Sequence, residues 1–118
     1  MVNLYLLRRV AEKAFPDVVE SIALLRGKLR VLLVDGLTID LWWSSEIPDR
    51  FAHHWERRPI DGTIYRHDNM PHKAWRGVTT FPQHFHNGSQ ENVIESPLST
   101  DPESSLRAFL EFARTKLG

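Results

Sequence analysis

The chain has 118 residues, of which 42% are hydrophobic, and this length and composition are typical of one domain with its own core, spanning residues 1–118. Fifteen basic and fifteen acidic residues give a formal net charge of zero, so the overall charge provides no long-range attraction to nucleic acid or to an anionic membrane. The sequence contains no cysteine, which excludes disulfides, thiolate metal sites and a cysteine nucleophile.

The N-terminal segment predicts an amphipathic helix with Asn3 as its N-cap, and Phe15 and Pro16 end it. Neither a cationic region with a cleavage site nor an apolar run long enough to span a bilayer is present, so we expect a cytoplasmic protein with no membrane partner. The apolar residues of the helix recur at helical spacing at Leu4, Leu7, Ala11 and Ala14.

Five segments then predict β-strands joined by short turns, and therefore a mainly antiparallel sheet. Asp35-Gly36 is the strongest hairpin signal, and Asp61-Gly62 marks a further turn. A sheet of this kind usually buries one face and leaves the other free for a site. The predicted strands are residues 18–25, 29–34, 37–43, 50–56 and 63–68.

Residues 69–92 show no sustained periodicity and predict a long loop, and such loops are usually functional or disordered. Its aromatic residues Trp75, Phe81 and Phe85 favour an ordered loop that folds over the sheet. A closing helix follows Asp101, a good N-cap, and Pro102. We therefore expect an α+β fold in which a five-stranded sheet is flanked by N- and C-terminal helices and covered by a histidine-rich loop.

Residues 65–86 contain four of the six histidines and are the first place to look for function, because histidine titrates near neutrality. A ribonuclease needs a base, an acid and a cation, which histidines and arginines supply together. In this hypothesis His72 and either His84 or His86 exchange protons, Arg66 stabilises phosphate charge and Asp68 orients an imidazole. His54 belongs to the same pool of candidates, and the expected RNA contacts are Arg66, Lys73, Trp75 and Arg76.

Two other interpretations remain open. His84 and His86 share a face if they lie on a strand, and His72 with Asp68 could complete a metal site, although the spacing matches no standard zinc signature. We expect no cofactor in the leading hypothesis, and a divalent metal only in this second one. In the third interpretation the chain is a non-enzymatic binding module whose loop contacts a protein partner, since single histidines more often belong to hydrogen-bond networks.

The combination of Asp68-Asn69 and Pro71-His72 with Phe81-Pro82, His84 and His86 resembles the TumE-like proteins, which are toxin components of bacterial and archaeal toxin-antitoxin pairs. The similarity extends from residue 18 through a strand ending near Ser96 to the closing helix. It implies the toxin of a type II module, encoded beside a helix-turn-helix antitoxin that binds it and represses the operon; a homodimer is left open. His67 stands where such proteins usually have an aromatic residue, which argues against a catalytic role for it.

Overall fold

The computed structural model describes residues 2–118, which form an antiparallel sheet with two long helices packed on one face. In chain order the helices and strands are α1 (Leu4–Ala14), β1 (Val19–Leu25), β2 (Lys28–Leu33), β3 (Thr38–Trp43), β4 (Phe51–Arg57), α2 (Arg58–Asp61), β5 (Thr63–Asp68), β6 (His84–Gly88), β7 (Val93–Glu95) and α3 (Pro102–Leu117), with a 3-10 turn at Lys73–Trp75. The seven strands lie in the sheet in chain order, so that each pairs with the next. Within residues 2–118 no helix is long and apolar enough to cross a membrane.

The local signals that predicted these elements form as expected. The Asn3 side chain accepts a hydrogen bond from the amide of Leu6 at 3.1 Å, and Asp101 accepts one from Ser104 at 3.0 Å, so both long helices begin with a side-chain cap. In the β2–β3 hairpin Gly36 has a φ of 88°, a left-handed conformation that glycine adopts without strain.

The two faces of the sheet differ because side chains alternate along each strand. The helix face carries the core, in which Trp55 and Phe109 are almost completely buried and α1 and α3 pack against β-strand residues. Trp42 and Trp43 illustrate the alternation, since Trp43 is buried in the core and Trp42 lies half-buried on the opposite face. The core on the central strands consists of Leu29, Val31, Leu33, Ile39, Leu41, Trp43, Phe51 and Trp55.

The predicted count of five strands is wrong, because two further strands, β6 and β7, follow the fifth. β6 lies inside the segment predicted as a loop, of which residues 69–83, apart from the 3-10 turn, and residues 89–92 remain irregular. Its alternation places His84 and His86 on one face and Phe85 on the other, but polar residues on one side and a neighbouring proline and glycine conceal the strand signal. Asn69 anchors the start of the loop, since its side chain accepts from the Phe51 amide at 2.9 Å.

His53 is a fully buried histidine on the helix face. Its ring lies 4.8 Å from that of Trp43 and 4.9 Å from that of Phe51, and its Nε2 is 3.3 Å from the hydroxyl of Ser105 on α3. Burial lowers the pKa of His53 to about 3, so the ring is neutral at physiological pH.

We predict that replacing His53 by Gln weakens the pH dependence of stability. The folded pKa of His53 lies below the unfolded value of about 6.5, so the unfolded chain binds more protons and stability falls as the pH falls through this window. Between pH 6.5 and 5 this group removes between about 1 and 2 kcal/mol from the free energy of unfolding, because the slope rises toward its limit of about 1.4 kcal/mol per pH unit as the pH falls. Urea unfolding at several pH values measures the loss, which H53Q should reduce by that amount.

The matched control for that measurement is His72→Gln, which changes an exposed histidine in the same way. The same measurement on H72Q separates the effect of burial at residue 53 from that of replacing a histidine at the surface. If the free energy of unfolding changes with pH equally in H53Q and in the unchanged chain, His53 is not held neutral by burial.

Candidate functional site

The sheet face opposite α1 and α3, here called the site face, carries two rows of mostly polar side chains that cross the strands. The rows follow from the antiparallel register, in which Asp68 pairs with His84 and Arg66 pairs with His86. The first row is Arg30, Asp40, His54, Arg66 and His86, and the second is Lys28, Trp42, Ala52, Asp68 and His84.

Asp68, His84 and His86 form a buried cluster on this face, here called the triad. The Nε2 atom of His84 lies 3.1 Å from Oδ1 of Asp68, and Nε2 of His86 lies 3.9 Å from Oδ2. The exposed fractions of the three side chains are 5%, 2% and 3%, in chain order. A carboxylate and two imidazoles so fully removed from water must be compensated by contacts of their own.

The outer nitrogens of both imidazoles are held by backbone carbonyls. Nδ1 of His84 lies 2.9 Å from the carbonyl oxygen of Pro82, and Nδ1 of His86 lies 2.9 Å from that of Gln90. Because a carbonyl can only accept, both Nδ1 atoms carry a proton and donate it. In the neutral ring the Nε2 atom then has a free lone pair, and in both rings this atom faces Asp68.

Asp68 is fixed by two donors of its own. The Nε of Arg66 donates to Oδ2 at 2.9 Å, and the amide of Met70 donates to Oδ1 at 3.0 Å. A neutral His84 therefore places a lone pair against a carboxylate oxygen, and two acceptors at 3.1 Å repel each other. A proton or a cation between them removes the repulsion, so the triad is built to hold a positive group.

Burial lowers the pKa of His86, and the hydrogen bond to the Gln90 carbonyl opposes this effect by raising the pKa. The neutral form of this ring is thus favoured, with Nδ1 protonated and Nε2 free. Two imidazole nitrogens and one carboxylate oxygen, all within 4.8 Å of one another, are also the atoms that could hold a metal ion.

Arg66 connects the triad to a groove on the site face. Its side chain is 31% exposed, and within residues 2–118 its guanidinium makes no hydrogen bond besides the one from Nε to Asp68. Its terminal nitrogens are therefore available to an anion. The groove has a volume of about 490 Å³, and its lining includes Lys28, Trp42, His54, Arg66 and Met70.

His54 lines this groove but lies outside the triad. Its Nε2 is 3.3 Å from Oε1 of Glu56, and burial lowers its pKa. The Arg58 guanidinium lowers the pKa of Glu56 to about 2, so this carboxylate stays charged and can accept from the neutral ring.

The remaining predicted residues lie on the loop. Trp75 packs over the triad, with its ring centre 6.0 Å from that of His84 and 5.7 Å from that of His86. The exposed His72 is not part of the triad: its Nδ1 accepts from the Ala74 amide, and its ring contacts Trp75. Lys73 and Arg76 are exposed on the same turn.

Two side chains and two backbone carbonyls that contribute to the site were missed from the sequence. Trp42 and Lys28 line the groove, and alternation along β2 and β3 would have placed both on the face opposite the core. The carbonyls of Pro82 and Gln90 leave no signal in the sequence, because any residue supplies one. His67, predicted not to be catalytic, lies on the helix face, where its ring stacks on Phe85 at 4.0 Å.

Comparison with known proteins identifies one family. The family model described as Toxin TumE matches residues 6–117, which is nearly the whole chain. No curated protein and no solved structure matches the chain.

We predict that replacing Trp75 by Ala exposes the imidazoles of the triad. The Trp75 ring packs against both imidazoles, so diethyl pyrocarbonate in the presence of EDTA should modify His84 and His86 at least about ten times faster in W75A, which corresponds to about 1.4 kcal/mol less protection. Mass spectrometry of the modified peptides measures the rate at each residue. Trp42→Ala, on the same face but away from the triad, is the control; an unchanged rate in W75A would show that Trp75 does not shield the site.

Proposed function

The chain belongs to the TumE toxin family, and from this membership we propose that it is the toxin of a type II toxin-antitoxin module and acts by cleaving RNA in the cytoplasm. The observation that supports RNA cleavage is the junction of Arg66 with the triad. A guanidinium with free donors lies there beside a buried carboxylate and two imidazoles that could hold a cation. The family match supports the toxin role, and the chemistry is inferred from this geometry.

Arg66 is the residue that we propose binds the scissile phosphate. A guanidinium offers two parallel donors to phosphate oxygens, and Asp68 fixes its orientation through Nε while leaving the other nitrogens free. As negative charge develops on the phosphate, a donor that is already oriented stabilises it without reorganisation. The side chain lies on the site face because side chains alternate along β5, which is paired with β4 and β6.

The triad is the centre that we propose activates the attacking oxygen. Direct proton exchange by His84 or His86 with RNA is disfavoured, because each Nδ1 donates to a carbonyl and each Nε2 faces Asp68. Both imidazoles are also almost completely buried, so the substrate reaches a ring nitrogen only if the triad opens. A cation held among the three side chains would be a better activator of the attacking oxygen, and Asp68 would orient the imidazoles around it.

The groove beside Arg66 suits a single-stranded substrate. Trp42 offers a half-buried aromatic ring on which a base can stack, and Lys28 adds a cation at the far side, although Asp40 binds it at 2.9 Å. Trp75, Lys73 and Arg76 extend the polar surface across the loop. An open sheet face with an aromatic ring and basic residues is a recurrent way to bind unpaired RNA.

The antitoxin partner is also part of the proposal and follows from the family alone. A helix-turn-helix protein encoded beside the toxin is expected to bind it and to suppress its activity. The alternative, a binding module without catalysis, differs in one measurable respect: it would arrest growth or bind its partner without cutting RNA.

We predict that Arg66→Ala reduces RNA cleavage by about 100-fold or more, because removal of one oriented donor to a developing charge typically has an effect of this size. Arg66→Lys keeps the charge but loses the paired donors, so it should retain part of the activity. Induced expression in a bacterial host, followed by growth and by the integrity of total RNA, measures the effect in cells, and purified protein with a labelled single-stranded RNA measures it directly.

The control is Arg107→Ala, which removes an exposed arginine whose hydrogen bond within residues 2–118 is to Glu103 on α3. R107A should remain as toxic as the unchanged chain. Growth arrest with intact RNA, or full cleavage by R66A, would contradict the ribonuclease proposal, and the first of these results would favour the binding module.

A further inference from the structure

We propose that Asp68, His84 and His86 bind one divalent transition-metal ion through two imidazole Nε2 atoms and a carboxylate oxygen. The proposal deepens the function given above, since a catalytic role for the ion rests on ribonuclease activity. The binding itself rests only on the geometry of the triad.

The distances within the triad are close to those of a coordinated ion. Metal–ligand distances of 2.0–2.2 Å in a tetrahedral site separate the ligand atoms by about 3.4 Å. Nε2 of His84 lies 3.1 Å from Oδ1 of Asp68 and Nε2 of His86 lies 3.9 Å from Oδ2, so these values bracket the expected separation. One ligand atom from each of the three residues lies within 4.8 Å of the others, so the side chains must move closer together to bind one ion.

Each ligand also has the supporting hydrogen bond that metal ligands usually have. Metal-binding histidines donate their other nitrogen to a carbonyl or carboxylate, which fixes the tautomer and the ring orientation. The carbonyls of Pro82 and Gln90 do this for His84 and His86, and Arg66 and the Met70 amide do it for Asp68. All three ligands are therefore oriented before an ion arrives.

A proton alone would give partners to fewer of the three donor atoms of the triad than a metal ion would. A proton on Nε2 of His84 would make an ion pair with Asp68 at 3.1 Å, but Nε2 of His86 would still lie 3.9 Å from the carboxylate, beyond hydrogen-bond distance. A metal ion at the centre uses all three donor atoms at once. Because the side chains are almost completely buried, a group that satisfies all of them is favoured.

The donor set indicates the kind of metal. Imidazole nitrogens suit Zn²⁺, Fe²⁺, Co²⁺ and Ni²⁺, and two histidines with one carboxylate are typical of catalytic zinc and non-haem iron centres, whereas Mg²⁺ and Ca²⁺ prefer oxygen ligands. Three protein ligands leave at least one coordination position free. Arg66, bonded to Asp68, lies beside the centre, so a phosphate oxygen could contact the metal and the guanidinium together.

The test uses full-length chain without a histidine tag, stripped of metal with EDTA and dialysed. Isothermal titration with Zn²⁺ should give one site per chain, and Co²⁺ should give the visible absorption of a low-coordinate nitrogen and oxygen site. Asp68→Asn and His86→Gln should each weaken Zn²⁺ binding by at least about 100-fold, since even supporting residues of metal sites change affinity by 10 to 100-fold. His72→Gln, which removes a surface imidazole outside the triad, should leave binding unchanged.

A second measurement needs no variant and so does not depend on how the variants fold. In ¹⁵N-detected histidine spectra, addition of Zn²⁺ should shift the Nε2 resonances of His84 and His86 and leave their Nδ1 atoms protonated. Shifts at His72 instead, or no saturable binding by the unchanged chain, would overturn the proposal.

The two proposals fail separately. If the chain binds no metal and still cleaves RNA in EDTA, the metal-site proposal is contradicted and the ribonuclease proposal stands. If the chain binds one Zn²⁺ tightly but cuts no RNA, the ribonuclease proposal is contradicted and the metal-site proposal stands.

Discussion

The carboxylate of Asp68 is the point on which the site depends. Arg66 on the same strand and the Met70 amide at the start of the loop donate hydrogen bonds to it. The imidazoles of His84 and His86 on β6 lie beside it. A buried carboxylate is strongly destabilising without such partners. The requirement to compensate this one charge therefore fixes the register of β5 against β6 and the exit path of the loop.

Because side chains alternate along each strand, the residues that stabilise the core and those that form the site lie on opposite faces of the sheet. On β5 and β6 the residues His67 and Phe85 face the helices and stack in the core, while Asp68 and His84 face the other way and form the site. Neighbouring histidines thus have opposite roles, one as a neutral aromatic member of the core and one as a ligand or charge partner. A slip of one residue between β5 and β6 would break the pairing of Asp68 with His84.

The sequence predicts much of this arrangement but not the parts that depend on pairing. Helix caps at Asn3 and Asp101 and the turn at Asp35-Gly36 are local signals, so the helices and the first strands follow from them. β6 was not predicted because its polar alternation looks like a loop until β5 offers a partner. The candidates Arg66, Asp68, His84 and His86 meet on one face, whereas His72 stays apart because a 3-10 turn holds it outside the cluster.

The tautomers of the triad illustrate why composition alone cannot give the chemistry. Histidines beside an aspartate suggested proton exchange, yet the carbonyls of Pro82 and Gln90 occupy the nitrogens that would carry it. The same carbonyls turn the remaining lone pairs inward, toward a carboxylate that repels them. A sheet that buries such a set beneath Trp75 loses stability unless a positive group is bound, and this cost is typical of a site retained for function rather than for folding.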